Sequence, residues 1–507
     1  MVHLLLASIP MVVSTMLFLI IFIKKGFSKS EAQYPRPPPG PWRLPIIGCM
    51  HHLAGQIPFR AFRDLSLTYG GLMLVRIGQA DFAVASSREA AQEILKNQDP
   101  NFAARPEHVL AQIVAYGCSD VVFSPYGPYW KQLRNICLVE LLGTKRIRSS
   151  ASIREEETLN LIREISTATQ PINLREKLLR MSNAIISRAA IGARSTHQET
   201  FILVAREAND VFGRLYGVDM FRSLKLLHVL SGAKFKLQRI RRRLDKIFDD
   251  IVKEHEVKAK TTKGRQVAEV EEDIVDALLR LKDESELEVP MTMDGIKAVM
   301  LDMLVGGTEN SSSLVEWAMS ELMRNPKIME QAQKEVMEEQ KGKNRLREAD
   351  VVELNYLKSI VKESLRLHPP LTLIPRMCRK TCEVLGYEIE AGTPVFVNAW
   401  AINRDPRYWE EAESFRPERF EVKSIDFKGA NFEYLPFGAG RRICPGLGFG
   451  LATIYLSLAQ LLYFDWKLPD GRKPEELDMS ETFGVTVTKK TELKLLATPR
   501  IPIPSTV

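Results

Sequence analysis

The 507-residue chain is poor in cysteine: there are six, at positions 49, 118, 137, 378, 382 and 444. So thin a scatter excludes a disulfide-built scaffold and fits free thiols in a reducing compartment. Cys378 and Cys382 are close, but without a second pair or nearby histidines they do not make a zinc site. No block interleaves basic and aromatic residues, so the excess of 70 Lys+Arg over 63 Asp+Glu gives no sign of nucleic-acid binding. A membrane surface or an acidic partner explains the sign equally well. Internal repeats, long low-complexity runs and a doubly wound βαβ pattern are all missing, as is any flavin or nicotinamide motif.

One long apolar run is present. Leu4 to Ile23 is twenty residues without a charge, enough to cross a hydrocarbon core of about 30 Å as a helix. Lys24, Lys25 and Lys29 follow at once and no Lys or Arg precedes it, which places the rest of the chain on the cytosolic side. The run is too long, and its start too neutral, for a cleaved signal peptide. It is therefore expected to be a retained transmembrane anchor. "YPRPPPGPWRLPIIG" (34–48) comes next, and its prolines favour a stiff hinge. The remaining residues, 49–507, are expected to form one catalytic domain.

In that body, "GLMLVRIGQADFAVASS" (71–87) alternates as a hairpin does. Apolar spacing predicts helices over 88–97, 126–142, 152–167, 174–192, 200–213 and 234–257, while the polar stretch 258–273 reads as a loop. The four arginines of "QRIRRRLDKIF" (238–248) fit a solvated face. A long helix can start with Thr292 as N-cap and must stop at Pro326, roughly 50 Å at 1.5 Å per residue. Gly306 and Gly307 interrupt it, each at a cost of about 1 kcal/mol relative to Ala, so a packing or functional reason is needed. A helix over 351–369, short strands, an irregular stretch 404–443 and a final apolar helix complete a mainly α chain with small β-sheets, of the α+β class.

Just before that final helix lies "PFGAGRRICPGLG" (436–448). An inert buried cysteine asks nothing of the backbone. Cys444 instead has Gly438 and Gly440 before it, Gly446 after it, and Arg441 and Arg442 beside it. Glycines permit left-handed turns and close approach of a flat object. Cations favour thiolate over thiol. The stretch is suited to presenting a sulfur anion to something large.

Four separated motifs together resemble the cytochrome P-450 family of haem-thiolate monooxygenases. "FGAGRRICPG" fits F-x-x-G-x-R-x-C-x-G at Phe437, Gly440, Arg442, Cys444 and Gly446; "ESLR" supplies Glu363 and Arg366; "FRPERF" supplies Arg419; "WKQLR" supplies Trp130 and Arg134. The resemblance implies the P-450 fold, haem b, and Cys444 as ligand to its iron. It implies that Phe437, Gly438 and Gly446 lie around the ring, and that Trp130, Arg134, Arg376 and Arg442 serve its carboxylates. Glu363, Arg366 and Arg419 would form a buried structural triad. Electrons would come from NADPH through a separate reductase, with Lys131, Arg134 or Arg441 aiding its docking. The apolar residues Ile113, Val121, Phe123, Met303, Leu304, Leu371, Ile374, Phe483 and Val485 would line the substrate cavity.

The chain departs from the family at two places: "HPPLTLIPR" is one residue shorter than the commonest form, which would reshape the pocket wall, and the central helix differs. Where the central helix usually carries an acid and then threonine, it reads Gly306, Gly307, Thr308, Glu309, Asn310. Gly307, Glu309 and Asn310 are the expected oxygen-activation residues. Asparagine has donors and an acceptor but no hydroxyl relay, and Thr308 lies about 200° away around the helix. Rearrangement of a preoxidised substrate without dioxygen cleavage is therefore one alternative, and a haem electron carrier another. "PPGPWRLPIIG" and "FSPYGPYWKQLR" look most like the plant microsomal enzymes of specialised metabolism. An endoplasmic-reticulum location follows from that likeness, and the apolar lining leans toward a terpenoid, a diterpene or sesquiterpene.

Overall fold

The computed structural model describes residues 36–215, 232–262, 272–283, 287–422 and 424–503. The expected anchor at 4–23 and the first two residues of the proline-rich stretch lie outside the described residues. Among the described residues no helix is long and apolar enough to cross a membrane.

Helix α1 (Pro58–Tyr69) opens on a proline, tolerated in the first turn because that N–H has no helical partner anyway. Strands β1 (Leu72–Ile77) and β2 (Ala80–Ala85) form the expected hairpin, Leu72 opposite Ala85. Ser87 caps α2 (Arg88–Gln92) by accepting from Ala90 N, and the helix runs on through a wider π turn at Glu93–Asn97. Helix α3 (Pro128–Ile136) starts two residues later than its periodicity suggests, because Gly127 and Pro128 fix the first turn. Then come α4 (Ala151–Ser166), α5 (Leu174–Ile191) and α6 (Gln198–Leu215). Helix α7 (Ala233–Thr262) reaches five residues into the stretch read as a loop. Lysine and alanine there are good helix formers, and an exposed helical end needs no apolar stripe.

After α8 (Ile274–Asp283) comes the axis of the molecule, α9 (Met293–Arg324). Its start is the expected one: the Thr292 hydroxyl accepts from Gly295 N at 3.0 Å. Helix α10 (Asn355–Leu367) is shorter than the pattern suggests, since Asp350–Glu353 form a separate tight turn and His368 leaves helical geometry before Pro369. Strands β3 (Leu373–Met377) and β4 (Pro394–Asn398) join the hairpin in a four-stranded sheet of order β1-β2-β4-β3, with β2 and β4 parallel and Ile374 opposite Val397. Helix α11 (Leu447–Leu461) follows the cysteine loop. Strands β5 (Phe464–Lys467) and β6 (Lys494–Pro499) pair near the C-terminal end.

The two central glycines have different roles. A Cβ at Gly307 would stand 2.9 Å from Ile186 Cγ1, so this glycine lets α5 pack tightly against α9. A Cβ at Gly306 would meet nothing within 4 Å. On another side of α9, Ser311 packs on Gly450 of α11, with 3.8 Å between its hydroxyl and an added Cβ. The main core joins these helices, and a second cluster, including Leu95, Ile374, Leu435 and Ala439, supports the cysteine loop from the sheet side.

Candidate haem-thiolate site

The cysteine loop is shaped by left-handed turns at Gly438 (φ +71) and Gly440 (φ +70). A Cβ at Gly440 would come within 2.2 Å of the Leu95 carbonyl oxygen, so only glycine fits there. Cys444 N–H donates to Phe437 O at 3.0 Å and closes the loop. Gly446 then caps α11, which puts the sulfur at the positive end of a helix. Burial pushes the Cys444 thiol up, while the Gly446 N–H, the Arg134 guanidinium and the Leu447 N–H pull it down. The side chain keeps accessible surface although protein surrounds it, so it opens on an internal cleft.

Gly306 and Asn310, one turn apart on α9, keep accessible surface as well. The Asn310 amide is held at both ends: its NH₂ donates to Gly306 O at 3.3 Å, and its Oδ1 accepts from the Thr486 hydroxyl at 2.9 Å. Thr308 faces away, accepting from Asn183 Nδ2 on α5 at 3.2 Å. Glu309 is buried on the α5–α6 side. Burial raises its carboxyl pKa, Arg175 and Arg206 oppose the rise, and Asp210 adds to it. It does not share the open face of Asn310.

On the sheet side, Arg105, Arg134, Arg376 and Arg442 gather with Trp130. Trp130 lies between two of them, its ring 5.7 Å from Arg134 Cζ and 4.5 Å from Arg442 Cζ, and its N–H donates to Val121 O. Carbonyl oxygens accept from each guanidinium: Ile443 O from Arg134, Ala439 O from Arg376, Pro375 O and Val122 O from Arg105, and Ala103 O and Ser124 O from Arg442. No carboxylate pairs with any of the four among the described residues. Asp99 is engaged by Arg441, and Asp120 by the Phe123 N–H. Burial and then the like charge of Arg376 push Arg442 down to about 9. Burial lowers Arg376 to about 10, with Asp99 opposing. Arg376 Nε is buried with no partner among the described residues. Arg105 was missing from the sequence-derived set; "FAARPE" carries no spacing signal, and only the fold brings it here.

The expected triad is assembled. Arg366 donates twice to Glu363, at 2.8 Å each, and Arg419 Nε donates to Glu363 Oε1 at 3.0 Å. The remaining Arg366 protons go to the carbonyls of Asn403, Ala412 and Ser414, so all five of its N–H groups are used.

The expected lining residues divide. Ile374 lies beside Gly438, its Cδ1 3.9 Å from an added Cβ, and Leu371 is 41% exposed. Val121 is buried, its N–H donating to Asp302 Oδ2 at 2.8 Å, while Phe123 and Val485 are half-buried. Ile113 packs against the main core and Phe483 against the cluster holding Phe59 and Trp400. Met303 and Leu304 are buried beside Ala190, Ile191, Ile274 and Val275, between α5 and α8. Of the expected docking cations, Lys131 and Arg441 are exposed, whereas Arg134 points inward to Ile443 O.

A sulfur at a helix start, where N–H groups and a guanidinium oppose the burial that raises its thiol pKa, and an edge holding four arginines short of anionic partners fit a flat metal chelate bearing carboxylates. That defines the class: a haem-thiolate protein. The Cytochrome P450 family profile matches residues 37–495. Premnaspirodiene oxygenase of Hyoscyamus muticus is 47% identical over 495 residues, 97% of this chain and 98% of that one. Germacrene A hydroxylase of Barnadesia spinosa is 48% identical over 464 residues, 91% and 92% of the two chains. A solved zebra fish cytochrome P-450 with progesterone superposes at TM-score 0.75, 24% identical, over 88% of this chain and 100% of that one, a likeness of fold. The chain belongs to the cytochrome P-450 family. It is a monooxygenase of that family, using haem b and electrons from a redox partner.

Proposed function

We propose that this enzyme hydroxylates or otherwise oxidises a small lipophilic specialised metabolite, a terpenoid olefin of diterpene or sesquiterpene size. The observation that carries the reading is the Cys444 sulfur, accessible at the start of α11 though surrounded by protein, in a molecule whose helix α9 keeps an open Gly306–Asn310 face. The relatives named premnaspirodiene oxygenase, germacrene A hydroxylase and 5-epiaristolochene 1,3-dihydroxylase support the substrate class.

In this proposal Cys444 is the iron ligand, its charge stabilised by the Gly446 and Leu447 N–H groups. Arg105, Arg134, Arg376, Arg442 and Trp130 hold the haem carboxylates, and Phe437 and Gly438 lie against the ring. Haem ligated by thiolate supplies the dioxygen chemistry. The chain's own residues orient and dry the cleft: Ile374, Leu371, Val121 and Val485 give apolar contact, and the Asn310 amide holds water where a proton must be delivered. Residues 4–23 anchor the enzyme in the endoplasmic-reticulum membrane, 34–48 stiffen the link, and 49–507 face the cytosol, where a membrane-bound NADPH reductase delivers electrons.

The test is oxygen labelling. Purified enzyme, reductase and NADPH, given a panel of terpene olefins under ¹⁸O₂, should yield a product carrying one labelled atom. A product without label would make it an isomerase. Failure of every lipophilic compound to shift the resting Soret band would make it an electron carrier.

A further inference from the structure

Asn310 stands where an alcohol is usual, yet an alcohol is present at the same spot. It comes from another part of the chain. Thr486, in the C-terminal "FGVTV" turn, donates its hydroxyl proton to Asn310 Oδ1 at 2.9 Å. The amide orientation is determined by its other end: Gly306 O can only accept, so the NH₂ faces it and Oδ1 faces Thr486. Thr486 is 4% exposed and is itself clamped. Its N–H donates to Asn209 Oδ1 at 3.2 Å, and its carbonyl accepts from Asn209 Nδ2 at 3.5 Å. Next to it, Ser313 of α9 donates to Val487 O at 3.2 Å, fixing the turn against the same helix. Gly484 is required for this closeness, since a Cβ there would lie 2.6 Å from both polar atoms of the Asn209 amide.

Resting on the monooxygenase reading, we infer that Thr486 is a positioning residue for proton delivery: its hydroxyl fixes the Asn310 carboxamide, and Asn209 fixes Thr486 to helix α6. With one amide end on Gly306 O and the other on Thr486, a single N–H of Asn310 is left to face the cleft and order water. Without the hydroxyl, the 3.3 Å bond to Gly306 O is the one tie left on the amide among the described residues, and its free N–H is aimed less firmly at the water. A structural pin and a positioning residue make different predictions. A pin matters equally whichever residue sits at 310; a positioning residue for the amide matters only while the amide is there.

The experiment uses full-length holoenzyme with its reductase, a bound substrate and NADPH, and reads hydrogen peroxide released per NADPH. Thr486→Val should raise that fraction about three- to tenfold, the factor one ordinary hydrogen bond represents. Thr486→Ser should restore it. In an Asn310→Thr background the Thr486→Val change should shift the fraction less than about twofold. Asn209→Ala, remote from the cleft, should raise it in the same direction, and serves if Thr486→Val does not fold. A second readout does not use turnover: melting temperatures of Thr486→Val, Asn310→Ala and the double variant should be non-additive. An unchanged peroxide fraction, or an equal rise with and without the Asn310→Thr change, would overturn the inference. A wild-type enzyme whose reduced carbon monoxide complex lacks the thiolate band would instead overturn the haem-thiolate reading beneath it.

Discussion

Two groups of arginines in this molecule, one centred on the buried Arg366 and the other on the buried Arg376 and Arg442, differ in company. Around Glu363, the charges of Arg366 and Arg419 meet one carboxylate, and every Arg366 donor ends on a protein oxygen. Around Cys444, Arg105, Arg134, Arg376 and Arg442 face one another with no carboxylate in ion-pairing reach among the described residues, and Arg376 Nε has no partner there at all. Burying a guanidinium without an anion is costly, and grouping four adds repulsion. The first group is complete as the chain folds. On the proposed reading, the second is completed by an anion from outside the chain. That contrast separates a structural arginine from a ligand-binding one without reference to any relative.

The largest effect expected from breaking the contrast is at the complete group. Glu363→Gln keeps the shape but leaves Arg366 and Arg419 buried without their carboxylate, at a cost of about 3–5 kcal/mol. The variant should accumulate little holoprotein, seen as a collapsed ratio of Soret to protein absorbance. A normal ratio and melting curve would put the triad's charge outside the stability of the fold.

The opposite is expected at the incomplete group. Arg376→Met removes one of four like charges and an orphaned donor, so the haem-free chain should melt at the same temperature or higher. Haem should leave about tenfold faster, measured by transfer to an acceptor protein, because one charge-assisted contact is lost. If the haem-free chain of Arg376→Met is less stable than wild type, Arg376 belongs with the triad.

The two groups also differ in how far the chain alone reveals them. Glu363 and Arg366 lie three apart on one helix, a spacing that needs no tertiary information, and Arg419 sits in a recognisable "FRPERF". Arg134 and Arg442 were legible for the same reason, through "WKQLR" and the glycine-rich cysteine loop. Arg105 was not, because its role exists only once β3, with Pro375, and the loop carrying Val122 are packed beside it. The central helix shows the same limit. Its cap, length and glycine defect were readable; which glycine faces the cleft and which faces Ile186 was not. Met303 and Leu304 were placed by family position, and only the packing shows that they meet Ala190, Ile191, Ile274 and Val275 at the α5–α8 contact.

The smallest and sharpest probe is Asp120, a buried acid beside the incomplete group with the half-buried Asp302 as its neighbour. Asp120 is 1% exposed; its Oδ1 accepts from the Phe123 N–H, and its Oδ2 has no partner among the described residues. Burial pushes its pKa up to about 7, against the pull of the Phe123, Asp120 and Ser124 N–H groups and the Arg105 charge. A carboxyl whose folded pKa is raised holds a proton that the unfolded chain has already released. Its contribution therefore favours the fold at pH values below about 4 and is lost as the pH rises through about 7. Asp120→Asn carries no such proton, so the melting temperature of the haem-free variant should decline less than wild type between those two pH values. If the two profiles run parallel, Asp120 is ionised throughout and is the missing counter-charge. The arginine cluster would then be less incomplete than its geometry indicates, and the contrast with the Glu363 triad would narrow to one of degree.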